Sequence, residues 1–182
     1  RMNHNSLVWG SGLIKKDIKL EIKPKKIFAV RGPLTRNELI KNKIECPEVY
    51  GDPALLLPHI YRPTKNKKFK YGIIPHYIDK YHPYVRSCKK KENVLIIDVA
   101  YNYKNWKDFI NLISQCEYII SSSLHGIIIS DAYEIPNLWV KFTEGITGNG
   151  FKFKDYYASV HKTVSGPFDL NIKSNQTEEK IK

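Results

Sequence analysis

An α/β fold built on parallel sheets is predicted by three features of the 182-residue sequence. Short apolar runs rich in Ile and Val recur at residues 7–9, 27–30, 48–50, 71–74, 94–97, 118–121 and 137–140. They are predominantly apolar rather than alternating, as strands covered on both faces are. Stretches with helical spacing lie between them, and such alternation gives a parallel sheet flanked by helices. The composition, 42% hydrophobic and 26% charged, is that of a globular protein.

The elements follow in order. Residues 7–9 open a strand almost at once, as though inside a domain, and 27–30 make a second. Pro33, directly after Gly32, starts a helix to about residue 41, since proline suits the first turn of a helix. Residues 48–50 make a short strand. Residues 58–70, with two prolines and a lysine run, are the least structured internal stretch. Strands at 71–74 and 94–97 come next. Trp106, Phe109, Ile110 and Ile113 keep i, i+3, i+4, i+7 spacing, which predicts an amphipathic helix over 105–116. After strand 118–121, Leu124, Ile127, Ile128 and Ala132 repeat that pattern over 123–133, and 137–140 is a strand. The expected division is 1–62 as the remnant of an N-terminal α/β domain, 63–69 as linker, 70–165 as a C-terminal domain and 166–182 as a polar tail.

The charge narrows the partners. Thirty Lys and Arg against 18 Asp and Glu leave +12, which favours nucleic acid, an anionic membrane face or phosphorylated small molecules. Most of the excess is lysine in short runs, which a solvated surface explains equally well; arginine, the better planar phosphate ligand, occurs five times. The 12 tyrosines form no cluster interleaved with arginine, so nucleic acid is disfavoured. No apolar run approaches the ~20 residues of a membrane helix, and no signal peptide is visible. A cytoplasmic location is expected, with peripheral contact at the inner membrane face in keeping with the charge. Cys46, Cys88 and Cys116 are widely spaced without C-x-x-C, so neither a disulfide framework nor a zinc site is supported. There is no G-x-G-x-x-G, Walker loop, H-E-x-x-H or G-x-S-x-G, which argues against the commonest dinucleotide, P-loop, zincin and α/β-hydrolase sites.

Parallel α/β sheets bind ligands beyond the carboxyl ends of their strands. Those ends carry polar residues: Arg31-Gly32-Pro33, Gly51-Asp52-Pro53, Pro75-His76-Tyr77, Asp98, Ser122-Ser123-Leu124-His125-Gly126, and Lys141 with Thr143-Glu144-Gly145. In the fifth of these, three hydroxyls (from Ser121 on) meet a helix start whose free N–H groups form an anion site, with His125 in the first turn. The other reading of these serines is N-capping. Arg31 suits a carboxylate or phosphate, or else an ordinary salt bridge. His76 and Asp52 carry little signal singly, as strand-end and turn residues.

Several stretches, in order over about 7–157, together resemble the polysaccharide pyruvyl transferase family. They are Val8-Trp9-Gly10-Ser11-Gly12, Ala29-Val30-Arg31-Gly32-Pro33-Leu34-Thr35, Tyr50-Gly51-Asp52-Pro53-Ala54-Leu55, Ile74-Pro75-His76-Tyr77, Cys116-Glu117-Tyr118-Ile119-Ile120-Ser121-Ser122-Ser123-Leu124-His125-Gly126, Ile135-Pro136-Asn137 and Phe151-Lys152-Phe153-Lys154-Asp155-Tyr156-Tyr157. The resemblance implies two Rossmann-like domains in a GT-B-like arrangement, the N-terminal one incomplete here. It implies transfer of pyruvate from phosphoenolpyruvate to a sugar or lipid-linked oligosaccharide as a ketal, in capsule or exopolysaccharide biosynthesis, without cofactor or metal. Characterised members often carry Arg before the Leu-His pair, where Ser123 stands here.

In this reading the anionic donor meets Arg31, Ser122, Ser123, Leu124 and Gly126, with Asp98 and Lys141 at the same rim. His125 transfers the proton, its ordinary pKa lying near neutrality, and Asp52 or His76 orients or deprotonates the sugar hydroxyl. Two other readings stand beside it: a GT-B-type glycosyltransferase using a nucleotide sugar, and a non-catalytic carbohydrate- or phosphate-binding remnant.

Overall fold

The computed structural model describes residues 3–64, 66–100 and 103–170. From residue 171 on, the polar tail expected over 166–182 lies outside them. The chain forms two compact units. The first takes the described residues up to Leu55 together with Thr147–Gly166, and the second takes Leu56–Ile146 and the described residues from Pro167. The sequence had placed 147–165 in the C-terminal domain and the divide at 63–69. The structure returns the chain to the first unit through a helix that sequence pattern did not show.

In the first unit, β1 (Leu7–Ser11) pairs in parallel with β2 (Lys26–Val30). Helix α1 (Pro33–Lys41) follows, with proline in its first turn as expected. Val30, Leu39, Ile44 and Cys46 make its core, with Val8, Leu20 and Ile27 packed against them. The strand expected at 48–50 is reduced to a single parallel bridge between Val30 and Tyr50. Pro47 cannot donate to a ladder, and Gly51-Asp52-Pro53 turns the chain into a short 3-10 helix, Pro53–Leu56. Helix α6 (Phe151–Ser159) completes the unit by packing on α1.

The second unit is a five-stranded, all-parallel sheet of β3 (Phe69–Ile74), β4 (Val94–Ile96), β5 (Cys116–Ser121), β6 (Asn137–Lys141) and β7 (Phe168–Asp169). The order across the sheet is β4-β3-β5-β6-β7. Four short helices join it: α2 (Leu57–Ile60), α3 (Pro83–Cys88), α4 (Trp106–Ser114) and α5 (Leu124–Ala132). Successive residues of β3 point to opposite faces. Ile73 clusters with Val85 and Cys88 of α3 and with Val140 and Phe142, whereas Ile74 lies against α5 at Gly126. Helix α4 starts on a capping box, Asn105 with Asp108, and α5 is buried almost all round.

Candidate functional site

The strand order sets the place. From β3 the chain steps to one side for β4 and then crosses to the other side for β5. In order of appearance within the unit this is 2-1-3-4-5, the doubly wound order in which ligands bind between the carboxyl ends of the first and third strands. Here those ends are Ile74 of β3 and Ser121 of β5, and His76 and Ser122 follow them. Because every strand is parallel, Asp98, Ser122, Ser123 and Lys141 also fall on this edge of the sheet.

Ser121 is an internal residue. Its Oγ is 3.0 Å from the Ile74 carbonyl and 2.9 Å from the Ser123 carbonyl, its possible acceptors, and accepts from Ser123 N at 3.0 Å. A Cβ at Gly126 would lie on that oxygen and 3.1 Å from Ile74 Cγ2. Glycine at 126 therefore lets α5 approach the end of β5 closely.

Ser122 faces the edge differently. Its Oγ donates to Asp79 Oδ2 at 2.8 Å and accepts the His76 N–H at 2.8 Å. The other oxygen of Asp79 accepts from Thr143 Oγ1 at 2.7 Å. Asp79, fully buried, was missed by sequence reading: it sits in an ordinary-looking polar loop, and its two hydroxyl partners are 43 and 64 residues away along the chain.

The start of α5 is open. Ser123, extended at φ −99°, makes no side-chain cap bond, so the N-capping reading of this hydroxyl does not describe it. Among the described residues, no acceptor meets the amides of Leu124, His125 and Gly126. The Leu124 side chain is buried, while His125 is exposed in the first turn. Unpartnered amides at a helix start carry partial positive charge, and here they lie beside the exposed imidazole of His125. The His76 ring, half-buried, packs on Tyr77 with centroids 4.3 Å apart.

The remaining expected residues are engaged elsewhere. Lys141 Nζ is held by Glu144 at 2.7 Å and Asp169 at 2.9 Å, and these carboxylates raise its pKa, Glu144 most. Asp98 accepts from Ala100 N at 2.8 Å and lies 3.9 Å from Lys80 Nζ. Asp52 belongs to the first unit, where its Oδ1 accepts from Ala54 N at 3.0 Å.

Arg31, also in the first unit, is 6% exposed and has an internal partner. Its Nε and Nη2 lie 3.0 Å from Asp155 Oδ2, and Nη2 donates to the Leu13 carbonyl at 2.6 Å. Burial pushes its pKa down and Asp155 opposes that shift. Asp155 also accepts from Thr35 N at 2.9 Å and Thr35 Oγ1 at 2.6 Å, capping α1 from α6. A Cβ at Gly12 would fall on the Arg31 guanidinium, and one at Gly32 on the Asp155 carbonyl, so both glycines make room for this cluster. Within the structure the anion beside Arg31 is Asp155; the sequence left the salt-bridge reading open, without a partner for it.

Fold and edge together define a doubly wound α/β unit with a polar rim at the carboxyl ends of its strands. The family profile described as polysaccharide pyruvyl transferase matches residues 2–141, and the chain belongs to that family. It is 33% identical over 166 residues to the uncharacterized protein L143 of Acanthamoeba polyphaga mimivirus, a match covering 85% of this chain and 54% of that protein. It is 30% identical over 162 residues to the succinoglycan biosynthesis protein ExoV of Rhizobium meliloti (strain 1021), covering 84% of this chain and 46% of that protein. The chain thus spans about half the length of the curated relatives it matches. No solved structure matches it. No helix among the described residues is long and apolar enough to cross a membrane.

Proposed function

We propose that the protein transfers pyruvate from phosphoenolpyruvate to a pair of hydroxyls on a sugar or lipid-linked oligosaccharide, forming a ketal during capsule or exopolysaccharide biosynthesis. The observation that carries this reading is the open start of α5 with His125 in its first turn, at the switch point of a chain in this family. Phosphoenolpyruvate brings a phosphate and a carboxylate. The amides of Leu124, His125 and Gly126 bind one of these anions through N–H donation. With Arg31 and Lys141 held by internal carboxylates, backbone amides carry more of the donor's charge than the sequence suggested.

The step balances as follows. His125 gives a proton to the donor methylene, C2 becomes cation-like, and a sugar oxygen bonds to C2 as its hydroxyl proton leaves to a base. Phosphate departs from C2, and the second sugar hydroxyl bonds there, losing its own proton. His76, whose backbone N–H donates to Ser122 Oγ, takes a hydroxyl proton in this reading. No cofactor enters. The GT-B-like arrangement is part of this proposal, as are a cytoplasmic location and peripheral contact with an anionic membrane face. Two compact units with parallel strands and a charge of +12 are in keeping with them.

The test offers the full chain phosphoenolpyruvate and, separately, nucleotide sugars, each with lipid-linked oligosaccharide acceptors. A pyruvate ketal with released phosphate supports the reading. A new glycosidic bond with no ketal replaces it with glycosyl transfer.

A further inference from the structure

Asp79 lies in the loop that leaves β3, and its side chain is fully buried. A carboxylate withdrawn from water normally keeps a cation beside it. Among the described residues Asp79 has no ion pair; each of its oxygens is held by one hydroxyl. The donors come from the loops after β5 and β6, so one carboxylate ties together three strand ends around the switch point. Ser122 is committed on both sides: its proton goes to Asp79, and its lone pair takes the His76 N–H. The loop itself is turned by Asp79 N donating to the His76 carbonyl at 2.8 Å and His82 N to the Asp79 carbonyl at 2.9 Å. The backbone of His76 is therefore locked to the residue preceding the cap of α5, three positions from His125.

An apolar contact would join strand ends with less desolvation cost than a buried carboxylate. What the carboxylate adds is direction, since a hydroxyl that must donate to Asp79 has its lone pair aimed at His76. We propose that Asp79 is a positioning residue, which acts through Ser122 to hold His76 in register with the start of α5 that carries His125. The proposal rests on the reading of this edge as the pyruvyl-transfer site.

The test compares Asp79→Asn, Ser122→Ala, Ser122→Thr and Thr143→Val in the full chain, with kcat, KM and Tm measured for each. Asp79→Asn and Ser122→Ala are expected to lower kcat about tenfold to a hundredfold, as small misplacements of reacting groups do, with KM within about twofold. Their effects on kcat are expected not to add in the double variant. Ser122→Thr, which keeps the hydroxyl, loses less kcat than Ser122→Ala, and Thr143→Val lowers kcat less than Ser122→Ala at equal loss of Tm. Loss of kcat that simply follows Tm across all four variants overturns the proposal. If the unsubstituted chain does not turn over phosphoenolpyruvate, the donor reading has failed, and the imidazole C–H resonances of the six histidines decide about Asp79. Displacement at His76 in both Asp79→Asn and Ser122→Ala, with His4 and His161 unmoved, supports the positioning role; an unmoved His76 overturns it.

Discussion

Two adjacent serines at the end of β5 do different work although both are buried. Ser122 spends its hydroxyl on Asp79 and His76, while the next residue makes no cap bond and leaves the amides of the first turn open. An exposed imidazole in that turn contributes little to packing. His125→Gln is therefore expected to leave Tm unchanged and to lower pyruvyl transfer about 10²–10⁴-fold, the range for a lost general acid–base group. Near-normal turnover in that variant would make His125 only a hydrogen-bond donor to phosphate, and His76 the proton-transfer residue. Gly126 is the opposite kind of residue. Gly126→Ala improves helix propensity but drives a methyl into Ser121 Oγ, and overpacking of this kind costs about 1–3 kcal/mol. A thermal melt of the variant is expected to show a lower Tm; an unchanged Tm would mean that α5 can shift away from β5.

At the scale of elements, α1 is capped by a residue 120 positions away. Asp155 sits on α6 and gives its carboxylate to Thr35 and Arg31, all in the first unit. Asp155→Ala leaves a buried guanidinium without its counter-charge, and breaking a buried pair in this way costs about 3–5 kcal/mol. Denaturant unfolding is the measurement; a loss below about 1 kcal/mol, the size of a surface pair, would mean that water replaces the carboxylate. A second carboxylate makes the first unit pH-sensitive. Glu38 accepts from Lys41 Nζ at 2.6 Å and from Asp17 N at 2.7 Å, and its pKa lies below the usual value, chiefly because of Lys41. A depressed carboxylate stabilises the fold above its unfolded pKa, about 4.3, and that stability is lost as pH falls through the lower folded value. Glu38→Gln is thus expected to be less stable than the unsubstituted chain at neutral pH, with the difference shrinking as the solution is acidified below about pH 4. Equal differences at both pH values would contradict this.

The elements differ in how legible they are in the sequence. Strands β1 to β6 and helices α4 and α5 coincide closely with runs read from apolar composition and spacing, and α1 with the start marked by Gly32-Pro33, because each of these signals is local in the chain. Helix α6 escaped since Phe-Lys-Phe-Lys alternates with period two, and the buried Asp155 interrupts its apolar face. Helix α3, six residues long, is too short for a period to show. The edge itself was readable as polar residues after strands, but the pairing of Arg31 and the hub at Asp79 were not. Both depend on partners brought together by the fold across 43 to 124 residues of chain.

For the whole molecule, the charge of +12 suggests an anion-binding protein, yet two of the cations expected to meet a ligand are held by internal carboxylates. In the function we propose, recognition of the donor falls to neutral groups at the start of α5, which long-range charge can assist but not replace. An ¹H–¹⁵N NMR titration of the full chain with phosphoenolpyruvate tests this most directly, because it reads binding residue by residue whether or not turnover occurs. Saturable shifts centred on the amides of Leu124, His125 and Gly126, reversed by competing inorganic phosphate, are the predicted result. Saturable binding centred elsewhere, or no saturable shift at these three amides, would contradict the account.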